Sequence, residues 1–280
     1  MPLANLDGLI AAMGASTARV RPFYKVAPAN ELSTECYTFW YMEGIPGAGT
    51  VPSSGMAGAT CSGKTTAGAL RTWTASGGNK LYATSFSSSL NSGTSVAGAL
   101  LVVDRLWEQS GISVTTTTAQ TVNSVTLPAR DDAGGTTGLG VYAALEVSTA
   151  TTNGSAITGI TISYTNTDGT AGRTGRLDNF PATAVAGTKC LFALEDGDQG
   201  IQSIQSITLG TTLASGVVHL TLVRPLFMAH TLVQTVGGSN HGPFQLLIPE
   251  LDDDVCVEIM NFPNVAALTQ LLGYMTFAEG

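Results

Sequence analysis

Apolar positions along the chain change their period from one region to the next. Leu3, Leu6, Leu9, Ile10 and Met13 recur at helical spacing and Gly14 follows, which predicts a short amphipathic helix within residues 1–14. Arg19–Val26 and Tyr37–Met42 read as extended, the second rich in aromatics that suit a pleated, half-buried surface. Gly44 to Gly68 is dense in Gly, Pro, Ser and Ala and predicts a loop. The apolar run from Val96 to Trp107 fits a helix or a buried strand. Leu100, Val103, Leu106 and Trp107 share one helical face and Gly111 follows, so a helix over 95–110 is expected.

From Ile112 onward the pattern turns to β. Ser113–Thr118 cannot hold a helix, because Thr is stiff at χ1 and its hydroxyl competes for backbone hydrogen bonds. Strands are predicted at Val141–Val147, Ile157–Tyr164, Lys189–Leu194, Ile201–Leu209 and Val217–Val223, with glycines between them. Asn166-Thr167-Asp168-Gly169 predicts a hairpin turn, Asp-Gly supplying the left-handed conformation. Phe244–Ile248 and Val255–Met260 continue the pattern, and Leu268–Phe277 is apolar and fits either element. The expected fold is mainly β: an antiparallel β-sandwich, jelly-roll-like, with one or two short helices. The expected organisation is an arm or short helix over residues 1–18 and a single β-sandwich domain over 19–280, interrupted by the loop at 44–68.

Composition adds a constraint on the surface. Only 11 % of the 280 residues are charged while 44 % are hydrophobic, against about 25 % charged in an ordinary soluble domain. So much of the surface is expected to be covered by partners. No stretch approaches the ~20 continuous apolar residues of a membrane-spanning helix. The net charge is −8 and the twelve Lys and Arg residues are scattered, so nucleic acid is not the expected partner. The N-terminus lacks the basic n-region of a signal peptide, and synthesis in the cytosol is expected. Cys36, Cys61, Cys190 and Cys256 show no CxxC pairing and are expected to be buried free thiols, disulfides being open to them after release into an oxidising medium.

The sharpest motif is Gly58-Ala59-Thr60-Cys61-Ser62-Gly63-Lys64-Thr65, a full match to the nucleotide-binding P-loop, with Ala99–Asp104 imitating the strand and Asp that hold magnesium. A P-loop needs a buried strand before its first glycine and a long helix after its Thr, which together aim N–H groups at phosphates. Here a loop precedes Gly58, and residues 67–78 read as extended, so no nucleotide site is expected. His219, His230 and His241 lack carboxylate or Cys partners at ligand spacing and are read as incidental. Glu195-Asp196-Gly197-Asp198 and Asp252-Asp253-Asp254 could attract calcium but fit no EF-hand loop, and solvated turns are the expectation. Tyr37, Phe39 and Tyr41 alternate along one extended segment; they could serve a carbohydrate-binding face or a core, and core is expected. No catalytic, cofactor or metal residues are expected.

The segment from Leu101 to Arg224 resembles a poorly characterised group of tailed-bacteriophage virion proteins. The residues that carry this are Asp104-Arg105-Leu106-Trp107 with Ser110-Gly111-Ile112, Thr115–Val122, Leu127-Pro128-Ala129-Arg130-Asp131, Gly140-Val141-Tyr142, Leu145-Glu146-Val147, Tyr164-Thr165-Asn166 with Gly169–Thr174, and Gly197–Ser206. The resemblance implies a non-enzymatic particle component encoded among phage head and tail genes, and leaves its place in the virion open. The expected role is a head decoration or minor capsid protein, made in the host cytoplasm and assembling as a symmetric homo-oligomer with major capsid or neck and tail proteins. A neck, collar or tail protein is the alternative in the same class, and a carbohydrate-binding adhesin the alternative outside it.

Overall fold

The computed structural model describes all residues except 1–5, 16–17, 29–31, 33–34, 92–97, 232–238, 242–248 and 264–269, and, at 6, 90–91, 230–231 and 239–241, the backbone alone. One helix, α1 (Leu6–Gly14), opens the described chain. The strands follow as β1 (Arg19–Val26), β2 (Tyr37–Thr38), β3 (Gly44–Ile45), β4 (Ala59–Thr60), β5 (Leu81–Asn91), β6 (Gly98–Glu108), β7 (Gln120–Thr121) and β8 (Tyr142–Thr152). Then come β9 (Ile160–Asn166), β10 (Arg173–Leu177), β11 (Lys189–Leu191), β12 (Ile201–Thr208), β13 (Ser215–Thr231), β14 (Ser239–His241), β15 (Glu250–Leu251), β16 (Val257–Pro263) and β17 (Gln270–Glu279).

These strands build three antiparallel sheets. A central sheet has the order β11-β8-β13-β6-β16-β2, with β4 also paired to β6. A six-stranded sheet has the order β14-β5-β17-β1-β3 with β15 on β5, and a four-stranded sheet the order β10-β9-β12-β7. The fold is mainly antiparallel β, in the manner of a β-sandwich. Long β6 and β13 bridge two cores. Val218, Leu220 and Leu222 of β13 join Ile160, Ile162, Ile204 and Ile207 in the core beneath the four-stranded sheet. Further along the same strand, Leu226, Phe227 and Ala229 join Phe23, Phe86, Leu271 and Met275 in the core beneath the six-stranded sheet. A bulge between Pro225 and Phe227 lies between the two halves of β13.

The helix expected over 95–110 is corrected: Gly98–Glu108 is strand β6. Leu100 and Val102 enter the core under the six-stranded sheet, while Leu101 and Val103 pack on the opposite face with Val223 and Met260. A strand buried on both faces is apolar without alternation and imitates a helix at the level of pattern. Ser113–Thr118 is irregular rather than β. There the hydroxyls bond locally, Ser113 Oγ lying 2.9 Å from Thr116 Oγ1, and the Gln120 amide brackets the Ser113 backbone from both sides. Tyr37–Met42 shrinks to the two residues of β2 before turning. The 44–68 segment is mostly loop, with β3, β4 and one 3₁₀ turn inside it. Phe244–Ile248 lies outside the described residues.

Candidate functional site

The P-loop look-alike has its amides engaged elsewhere. Gly58 N–H donates to Gly55 O, Cys61 N–H to Leu106 O, Gly63 N–H to Asp254 O and Thr65 N–H to Ser62 O. Ser62 N–H donates to Thr66 Oγ1, and Lys64 N–H to Ser62 Oγ. A phosphate cradle needs those donors converging and free. Lys64 reaches Asp254 at 3.2 Å with both side chains about half exposed, and turns, not a helix, follow Thr65. Gly63 is required by packing: a Cβ there would stand 2.0 Å from Val255 O. Asp104, the partner residue in that imitation, is buried and accepts from Arg130 Nε at 2.9 Å, Arg130 Nη2 at 3.1 Å and Cys256 N–H at 2.8 Å.

Neither acidic cluster is a simple solvated turn. Asp198 accepts from Tyr164 Oη, from Asn166 Nδ2 at 2.7 Å and from Arg173 Nε at 2.9 Å. The Arg173 bond above all holds its carboxyl at about 2. Glu195 pairs with the same Arg173 at 3.2 Å, so this cluster clasps the β9–β10 hairpin. In the second cluster Asp253 accepts from Ala75 N–H at 2.9 Å and Asp252 lies 3.7 Å from Arg224 Nη2. Among the described residues no three His, Cys, Asp or Glu converge as a metal site. His219 is buried, its Nε2 2.7 Å from Ser148 Oγ and its Nδ1 3.1 Å from Gln109 O. The side chains of His230 and His241 lie outside the described residues. Tyr37 and Phe39 are buried at 0 and 1 % exposure.

Sequence reading missed the densest chemistry in the molecule. On the face of the central sheet away from the two cores, Arg105 grips Glu146 in two bonds of 2.7 and 3.0 Å. It also reaches Glu258 at 3.2 Å and Glu108 at 2.9 Å. Lys189 Nζ closes the network on Glu258 at 2.7 Å and Glu146 at 2.8 Å. The Trp40 ring lies over the guanidinium at 4.5 Å, and Tyr41 Oη and Thr38 Oγ1 donate to Glu146 and Glu258. Burial alone would raise the Glu146 carboxyl, but Arg105 and Lys189 outweigh it and hold it far below the usual range. The signal was present in the sequence as Asp104-Arg105 within an apolar run, where a charge implies a buried partner.

Among the described residues, ten of the chain's 32 charged residues are buried, and the outer face of the six-stranded sheet carries three rows without charge. Cross-strand register aligns Val20 with Thr276 and Ser85, Pro22 with Tyr274 and Ser87, and Ile45 with Tyr24, Leu272 and Ser89. No charged residue falls in these three rows. Val20 is 55 % exposed, Ile45 58 %, Leu272 42 % and Tyr274 41 %. Their neighbours in sequence, Phe23, Leu271, Met275 and Phe277, point the other way into the core. Among the described residues no helix is long and apolar enough to cross a membrane.

No protein-family model matches the chain, and no curated protein matches it. Among solved structures, infectious bursal disease virus of the Gt strain is similar over 94 % of this chain and 81 % of that one, at 10 % identity and a TM-score of 0.19. T=1 particles derived from the same virus give 11 % identity and a TM-score of 0.20, covering 94 % of this chain and 77 % of that one. Viral particles thus stand among its structural neighbours, at scores too low to carry an argument. The phage resemblance of Leu101–Arg224 rests on its own residue patterns.

Proposed function

We propose that this chain is a non-enzymatic structural component of a bacteriophage virion, a head decoration or minor capsid protein. It packs symmetrically against copies of itself and against other virion proteins. The observation that carries this reading is three uncharged rows on the outer face of the six-stranded sheet, where Val20, Ile45, Leu272 and Tyr274 are exposed. Contiguous exposed apolar surface of this kind marks protein–protein contact, and symmetric self-association is the commonest way to cover it. The sequence resemblance is what points to tailed phages. We take residues 19–280 as a single jelly-roll-like domain behind an N-terminal arm; the supporting observation is that β6 and β13 each contribute to both cores. The adhesin alternative loses its aromatic strip, since Tyr37 and Phe39 are buried.

The test is the double variant Leu272→Glu/Tyr274→Glu, whose side chains point outward. Light scattering should find oligomers for the parent and monomers for the variant, with unchanged far-UV circular dichroism. A parent that stays monomeric at every concentration and is missing from purified particles would sink the proposal.

A further inference from the structure

Folding brings together two cysteines that the sequence keeps far apart. Cys61 follows β4 and Cys256 precedes β16, and both strands run antiparallel to β6 along the same flank. Cys61 N–H donates to Leu106 O at 2.9 Å, and Arg105 N–H donates to Cys256 O at 2.9 Å, so the two residues take successive stations beside β6. Both are buried, at 2 and 0 % exposure, in one small cluster with Trp40 and Ala69. The neighbouring Cys61 thiol, together with burial, holds the Cys256 thiol well above its ordinary range.

Cys36 and Cys190 differ. Lys189 N–H donates to Cys36 O at 2.8 Å, so Lys189 and not Cys190 stands opposite Cys36. Cys36 packs with Leu101, Val103, Val223 and Met260, whereas Cys190 packs against the core beneath the four-stranded sheet. Both nevertheless line one surface pocket with Glu35 and Phe262.

We propose that Cys61 and Cys256 are a disulfide site, reduced in a reducing cytosol and cross-linked once the chain meets an oxidising medium. The bond would fasten β4 and the Gly58–Thr65 loop to the start of β16. Two S–H bonds break and one S–S bond forms. The two electrons and two protons pass to a low-molecular-weight disulfide, which is cleaved to two thiols. Because both thiols are buried, exchange waits on opening of the two-residue β4 at the flank of the sheet, and it is slow. The inference concerns the fold of one copy, so its outcome is independent of the assembly reading.

The experiment incubates the purified full chain with oxidised glutathione, alkylates it in denaturant and maps peptides by mass spectrometry. Expected are the loss of two of the four free thiols, a peptide pair joining Cys61 to Cys256, and a raised melting midpoint that reductant reverses. The Cys36→Ala/Cys190→Ala variant should still form the link, and Cys61→Ser should not. Recovery of Cys61 and Cys256 fully alkylated, or a link between Cys36 and Cys190 in their place, overturns the proposal.

Discussion

Arg105 shows what a single side chain must satisfy when a protein draws its charges inward. Its guanidinium is fully buried and faces Glu146, Glu258 and Glu108, with the Trp40 ring over it. A buried ion pair of this kind adds little over a well-packed apolar substitute, yet removing one partner leaves the others uncompensated. Arg105→Met should therefore cost about 3–5 kcal/mol in chemical denaturation. Arg105→Met/Glu146→Leu, which leaves Lys189 facing Glu258 in a balanced pair, should recover part of that loss. Equal stability of the single variant and the parent would show that the network is not coupled. None of the residues in this network could be paired from the sequence. They come from β6, β8, β11 and β16, and only the strand order of the central sheet sets them on one face.

Among the elements, the β9–β10 hairpin was legible because everything that specifies it is local. Asn166 caps its own turn, its Oδ1 accepting from Asp168 N–H at 3.1 Å and Thr170 N–H at 2.9 Å, while Gly169 stands at φ 78°. Space around Gly169 is open, so Gly169→Val meets no clash, and its penalty is the backbone strain of a β-branched residue in the left-handed region. We expect a loss of roughly 1–2 kcal/mol, read as a lower melting midpoint; melting within error of the parent would mean the strain is relieved by a different turn. β6 was illegible for the opposite reason. Its two apolar faces are buried by elements remote in sequence, β17 and β5 on one side and the segment around β2 on the other, so no alternation betrays a strand. The extended reading of Ser113–Thr118 failed because short hydroxyl side chains found partners within their own segment.

At the scale of the whole molecule, α1 separates assembly from folding. It rests against β17 and buries Leu9 and Ala12 at 7 % exposure each, but leaves Ile10 at 54 % and Met13 at 37 %. One buried leucine contributes about 1.5–3 kcal/mol, a modest share of a large domain's stability. Deleting residues 1–14 should lower the melting midpoint by only a few degrees while shifting light scattering strongly toward monomers. If melting collapses and association does not change, α1 belongs to the core rather than to the interface. By itself the sequence determined the β class, the short N-terminal helix, the hairpin at Gly169 and the poverty of surface charge. Those follow from local periodicity, turn chemistry and composition, which need no knowledge of distant neighbours. Only the tertiary structure decided that 98–108 is a strand, that Arg105 and Lys189 meet Glu146 and Glu258, that Cys61 lies beside Cys256, and which rows of the six-stranded sheet are left uncharged. Each of these is a property of strand order and register across long sequence separations, and a one-residue slip in register would turn every one of those side chains to the other face.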